Sequence, residues 1–264
     1  GLCALCWREM TFADGLVCDL CGVPLVGPES ERAEHCDDCL VVARPWTKGR
    51  AAFVYSGTGR KLVLALKHGD RTDIARIAGP MLKRAAAPLL RGGSLLVPVP
   101  LHWTRMLGRR FNQSALLAQA LGAATGQEVA PLALIRTRRT KPLEGHSRDA
   151  RFEALDNAIR PHPRHGAQMK GRNVIIIDDV MTSGATMAAA ADAAAAAGAP
   201  AAATAAAATA AAATPLPLLP PLSLLPPRRS CRCRRRCSSF NFSQLPLAVH
   251  GHGHHVWHVA PCRW

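Results

Sequence analysis

The sequence predicts an α/β fold with a mainly parallel sheet flanked by helices, set between a cysteine-rich ribbon at residues 1–47 and a low-complexity tail at residues 200–264. Three observations carry this reading. Val174, Ile175, Ile176 and Ile177 form an unbroken β-branched run, which reads as a strand buried on both faces because no polar position is interleaved. From Gly49 onwards, short apolar segments alternate with helical ones, as expected of an α/β body over residues 48–199. Before that body stand three Cys-x-x-Cys pairs, Cys3/Cys6, Cys18/Cys21 and Cys36/Cys39.

Each cysteine pair can place two thiolates on one tight turn, and two such turns close a tetrahedral zinc site. Gly22 follows the second pair as a zinc knuckle requires, and fourteen residues separate Cys21 from Cys36. One structural site is therefore expected from Cys18, Cys21, Cys36 and Cys39, with four thiolates leaving no open position for catalysis. Cys3 and Cys6 are then half of a second site whose partners would lie upstream of residue 1. The chain opens Gly-Leu-Cys with no initiator Met, which fits a fragment. A rival pairing joins Cys3/Cys6 to Cys18/Cys21 and leaves Cys36/Cys39 to find another partner, His35 being the nearest.

Ala51 to Tyr55 reads as a strand, Lys61 to Lys67 as a short helix ending at Gly69, and Ile74 to Leu90 as a helix interrupted at Gly79-Pro80. Leu95 to Val97 is the next buried strand. After Pro98-Val99-Pro100-Leu101-His102 come Arg105, Arg109 and Arg110, guanidiniums suited to grip a diphosphate. Phe111-Asn112-Gln113 precede an amphipathic helix over Ser114 to Gly122, and Leu132 to Ile135 is a further strand. The basic segment from Arg136 to Arg151, interrupted by Pro142 and Gly145, reads as a mobile loop.

Val174 to Ile177 run into Asp178 and Asp179, where the strand is expected to stop. The turn Thr182-Ser183-Gly184-Ala185-Thr186 leads into an alanine-rich helix to Ala197. Such a turn points successive backbone N–H groups into one concavity at a helix N-terminus, where a phosphate dianion is favoured, and Thr182, Ser183 and Thr186 add hydroxyls. Two carboxylates repel phosphate but suit ribose hydroxyls or a magnesium ion that carries phosphates.

The 264 residues carry a net charge of +15 and 48% hydrophobic content. Seven arginines and no acid follow Asp192, so residues 1–192 hold 26 Lys and Arg against 18 Asp and Glu, a net +8 that suits polyanionic ligands. The apolar run Leu216 to Leu225 is interrupted by Pro217, Pro220 and Pro221, and no basic, apolar leader opens the chain. A cytoplasmic protein without membrane insertion is expected.

The stretch from Val174 to Thr186 resembles the phosphoribosyl-pyrophosphate (PRPP) signature of type I phosphoribosyltransferases. The segment Val97-Pro98-Val99-Pro100-Leu101, followed by Arg109-Arg110 and Asn112-Gln113, resembles the ComF family, which joins a cysteine-rich zinc ribbon to a phosphoribosyltransferase-like domain. The resemblance implies PRPP binding with magnesium, transfer of phosphoribosyl to an acceptor with loss of pyrophosphate, closure of the Arg136 to Arg151 loop over the ligand, and a link to competence and DNA uptake. It assigns Asp178 and Asp179 to catalysis, Thr182, Ser183, Gly184, Ala185 and Thr186 to the 5′-phosphate, and Arg105, Arg109 and Arg110 to the diphosphate. A second reading is a non-catalytic single-stranded DNA-binding competence factor with a regulatory or relic PRPP site, for which Trp46, Phe53, Tyr55 and Trp103 are the available stacking platforms.

The resemblance ends near residue 199. Ala and Thr fill Ala199 to Thr214, Pro/Leu repeats and Arg/Cys- and His-rich pieces follow, and no β-branched strand is evident between Val180 and Val249. Two readings of residues 200–264 follow: a disordered low-complexity tail, or a reading frame translated out of phase. In the second, the sheet lacks a strand beside its phosphate site.

Overall fold

The computed structural model describes residues 2–29, 32–68, 71–104, 106, 110–138 and 147–210. The main sheet is parallel and has the strand order β1-β7-β6-β2-β3, with β1 at Gly49–Val54, β2 at Leu95–Pro98, β3 at Glu128–Val129, β6 at Asn173–Met181 and β7 at Ala201–Thr209. A small antiparallel sheet pairs β4 (Leu134–Arg136) with β5 (Ile159–Pro161). The helices are α1 (Ala4–Arg8), α2 (Asp37–Val41), α3 (Gly57–His68), α4 (Asp73–Ala86), α5 (Gln113–Thr125), α6 (Arg148–Leu155) and α7 (Ala185–Ala196).

The β-branched run of β6 is buried on both sides. Val174 and Ile176 join the core that holds the α7 alanines, Met187 and Trp46, whereas Ile175 and Ile177 face Val63 of α3, Leu82 of α4, and Leu117 and Leu121 of α5. Each buried Ile contributes roughly 1.5–3 kcal/mol. The N-terminal segment is part of the same body: Val54 N–H donates to Thr11 and Ala13 N–H donates to Ala52, so the outer edge of β1 is covered.

Three expectations are corrected. The strand does not stop at the acids but continues through Asp178 and Asp179 to Met181, because Asp178, Val180 and Met181 keep their ladder partners Ala206, Ala208 and Thr209 in β7. Helix α4 runs through Gly79-Pro80 and ends at Ala86, with a short 3-10 turn over Ala87–Leu89. Pro80, which cannot bond the Arg76 carbonyl, lies with Arg76 on the exposed side of the helix, while the missing Gly79 side chain lets Ala120 of α5 approach.

The third correction is the largest. The Ala/Thr segment assigned to the tail supplies a central strand, β7, inserted between β1 and β6. Alanine has low β-propensity, yet both faces of this position are roofed by helices, and Ala205, Ala206, Ala207 and Ala208 are buried there. Small side chains fit because α7, packed on one face, is itself alanine-rich. The structural boundary therefore lies beyond residue 209, and residues 211–264, the rest of the expected tail, lie outside the described residues.

Thr204 in β7 is fully buried and its hydroxyl has no hydrogen-bond partner. Thr204→Val, nearly isosteric, removes that unsatisfied group and is expected to stabilise the protein by about 1 kcal/mol, or about 3 °C in Tm. A calorimetric scan showing a lower Tm for the variant would refute this.

Candidate functional site

A cleft of about 290 Å³ opens at the carboxyl end of β6, lined by Tyr55, Lys67, Arg151, Asp178, Val180, Met181 and the residues from Thr182 to Met187. This is where ligands bind in open parallel sheets, because the strand ends there and the next helix begins. Gly184 is the N-cap of α7 with φ +80°, a left-handed conformation that a side chain would resist. The turn from Thr182 to Thr186 thus lines the cleft at the helix N-terminus, where backbone N–H groups favour an anion. All five residues assigned to the phosphate loop meet there.

The two acids divide. Asp178 lines the cleft, and its Oδ1 accepts from Ser114 Oγ at 2.8 Å and from the Asp179 amide at 2.8 Å. Burial of the carboxyl, with the Asp179 charge as second cause, pushes the Asp178 pKa up to about 7, against those hydrogen bonds and the pull of Lys67. Asp179 is buried and its Oδ1 pairs with Lys67 Nζ at 3.1 Å. Both acids are thus held by α3 and α5 before any ligand arrives. The donor set fits ribose hydroxyls or magnesium at Asp178, whereas Asp179 reaches either only by exchanging its lysine.

Sequence reasoning missed several groups. Lys67, the penultimate residue of α3, was assigned only to a helix, although a cation there sits across from the acids. The polar segment from Arg136 to Arg151 ends in structure: α6 starts at Arg148, capped by Ser147, whose Oγ accepts from Ala150 N–H at 3.3 Å. Arg151 on that helix lines the cleft and donates to Thr182 Oγ1 at 3.3 Å. The Ser147 cap was the readable signal. Asn112 caps α5, accepting from Ser114 N–H at 3.0 Å and donating to the Val99 carbonyl at 2.9 Å, so the Asn112-Gln113 segment positions Ser114 against Asp178. Of the three arginines assigned to diphosphate, Arg110 is exposed with φ 64° and is not among the residues lining the cleft; Arg105, Arg109 and residues 139–146 of the expected closing loop lie outside the described residues.

The sulfurs of Cys18, Cys21, Cys36 and Cys39 lie within 4.8 Å of one another. Cys21 and Cys36 Sγ are 3.6 Å apart, close to the edge of about 3.8 Å of a tetrahedron with zinc–sulfur bonds of about 2.3 Å, and far beyond a disulfide of about 2.05 Å. The side chain of Cys21, then that of Cys39, holds the Cys18 thiol well below its ordinary range. Four soft thiols at this spacing fit zinc and leave no ligand position open. The first pairing is the one brought together; Cys3 and Cys6 stand outside the cluster, Cys6 N–H donating to Cys3 Sγ at 3.5 Å.

Two of the proposed stacking platforms are corrected. Trp46 and Phe53 are core residues, 4% and 2% exposed, so neither can stack on a base; Tyr55 lines the cleft and Trp103 is 65% exposed. No helix among the described residues is long and apolar enough to cross a membrane.

Comparison with known proteins agrees with this architecture. A family described as "Phosphoribosyl transferase domain" matches residues 115–224, a range that takes in β6, the Thr182–Thr186 turn and β7. DNA utilization protein YhgH of Escherichia coli K12 is 31% identical over 193 residues, covering 71% of this chain and 81% of that protein. Competence protein F of Haemophilus influenzae is 27% identical over 192 residues, with 71% and 81% covered, and Competence protein ComFC of Bacillus subtilis is 25% identical over 197 residues, with 70% and 74% covered. With the cysteine cluster, the parallel sheet and the acidic strand-turn-helix site all in place, this relationship makes the chain a member of the ComF family.

Proposed function

We propose that the cleft binds magnesium-PRPP and that the protein, cytoplasmic and zinc-loaded, serves the use of incoming DNA. The observation that carries this is the meeting in one cleft of a partly buried acid, Asp178, and a glycine-broken turn at the N-terminus of α7. The names of the relatives supply the biological setting.

In this reading Asp178 orders the ribose hydroxyls, Asp179 joins it when Lys67 is drawn away, and Thr182–Thr186 cradle the 5′-phosphate. Lys67 and Arg151 add positive charge inside the cleft, with Arg105, Arg109 and Arg110 reserved for the diphosphate. Magnesium, when bound, neutralises diphosphate charge. Transfer breaks the bond from ribose C1 to the diphosphate oxygen, which leaves with the electron pair, and forms a bond from C1 to the acceptor. The chain's contribution is to position the ribose, stabilise the departing charge and exclude water. Cys3 and Cys6 remain the proposed half of a second zinc site.

The test is calorimetric titration of magnesium-PRPP into the zinc-loaded protein and into Asp178→Asn/Asp179→Asn. Saturable binding, weakened at least tenfold in the variant, is expected. A folded wild type that binds no PRPP but holds single-stranded DNA with a steep salt dependence would replace this reading with the DNA-binding one.

A further inference from the structure

The cysteine cluster and the cleft are joined by one side chain that neither assignment uses. Arg44 stands between the Cys36/Cys39 turn and β1, and its Nη1 donates to the Ser183 carbonyl at 2.7 Å. Ser183 is the second residue of the Thr182–Thr186 loop. The guanidinium also stacks 5.5 Å from the Trp46 ring centroid, and Trp46 Nε1 donates to the Leu20 carbonyl at 2.6 Å, inside the Cys18/Cys21 turn.

This contact acts on the anion-facing side of the loop through peptide geometry. In a trans peptide the C=O and the following N–H point in opposite directions. Holding the Ser183 carbonyl toward Arg44, behind the loop, therefore turns the Gly184 N–H away from Arg44, toward the cleft that Ser183, Gly184 and Ala185 line. Gly184 is pinned as well: a Cβ there would come 2.7 Å from Arg44 Nη1 and 3.1 Å from the Trp46 ring. Arg44 is not among the residues lining the cleft, so it is a positioning residue and not a ligand for the phosphate.

We propose that Arg44 couples the cysteine cluster to the phosphate loop: the folded, metal-loaded cluster fixes Arg44, and Arg44 fixes the Ser183–Gly184 peptide in the orientation that receives an anion. The ligand class is that of the phosphate cradle, and the functional part of the inference rests on that reading. The cysteine-rich ribbon is then a built-in clamp on the cleft, and anion affinity depends on whether the cluster holds its metal. Coupling of this kind is reciprocal, so a phosphate ester in the cleft also tightens the cluster's hold on zinc.

The test compares zinc-loaded wild type with Arg44→Met, which keeps an unbranched side chain but loses the donors, and with Arg44→Lys, which restores one donor group. Amide hydrogen exchange of peptides covering residues 182–187 is followed first, without ligand, beside titrations of ribose 5-phosphate. Arg44→Met is expected to exchange at least tenfold faster in the loop, with residues 173–177 of β6 unchanged, to bind ribose 5-phosphate about tenfold more weakly, and to retain one zinc in the four-cysteine cluster. Arg44→Lys should recover most of both losses. Unchanged loop exchange in Arg44→Met overturns the coupling whatever the binding result. Faster loop exchange in a protein whose wild type binds no ribose 5-phosphate upholds Arg44's grip on the loop and sinks the phosphate reading instead.

Discussion

Stripping zinc from the purified protein with a chelator, or replacing Cys18 by Ser, is expected to lower the melting temperature by at least 10 °C. Cys18 is fully buried and belongs to the same apolar cluster as Val174, Ile176 and the α7 alanines. The cluster is also tied to the sheet by hydrogen bonds. Asp19 takes Arg50 at 2.6 Å and Lys48 at 3.4 Å, and its carbonyl accepts from the Gly49 N–H at 2.8 Å, where β1 begins. The approach is close enough that a Cβ on Gly22 would fall 2.5 Å from the Ala51 nitrogen. Structural zinc contributes about 10–16 kcal/mol in small zinc-finger peptides, which have no other core. Here the body has its own core, so a loss of about 5 kcal/mol is expected, and at about 2–4 °C per kcal/mol this is about 10–20 °C. The measurement is differential scanning calorimetry with zinc content determined on the same samples. A chelated, zinc-free protein that melts where the untreated one does would show the four cysteines to be ordinary core thiols.

The parts of the fold that could be read from the chain were those where local pattern and tertiary environment agree. Val174–Ile177 are β-branched and buried, so periodicity and burial give one answer. The Thr182–Thr186 turn was legible for a similar reason: the left-handed backbone at the start of α7 calls for the glycine found at 184. β7 failed that test. Ala201–Thr209 carries no strand signal of its own, and it is a strand because hydrogen bonds from β1 and β6 on either side leave its backbone no other partner. The site was half legible. Asp178 and the turn were named from the sequence, whereas Lys67 and Arg151 reach the cleft, and Ser114 reaches Asp178, only because α3, α6 and α5 converge there. Arg44 had no readable signal, since its role depends on a carbonyl 139 residues away in sequence.

Asp178 also predicts how the empty protein responds to pH. Its pKa is raised in the fold, to about 7 from an ordinary 3.8, chiefly because its carboxyl is buried and then because Asp179 lies beside it. A raised carboxyl pKa means that the folded state prefers the protonated form. That preference costs nothing below about pH 4, where the acid is protonated folded or unfolded, and becomes a full penalty above about pH 7, where folding must hold the charge. Stability of the ligand-free protein from this group therefore falls as pH rises from about 4 to about 7. Asp178→Asn keeps an oxygen for Ser114 and for the Asp179 amide but cannot ionise. It is expected to match wild type near pH 4 and to gain on the order of 2–4 kcal/mol at pH 8, since each pKa unit is worth about 1.4 kcal/mol. Urea melts at pH 4.5, 6 and 8 would show a growing gap between variant and wild type. A constant gap, or one that closes as pH rises, would mean that Asp178 is ionised without penalty. A widening gap would identify the acid of the cleft as one held at a cost to stability, a cost that a ligand carrying magnesium or ribose hydroxyls to Asp178 would relieve.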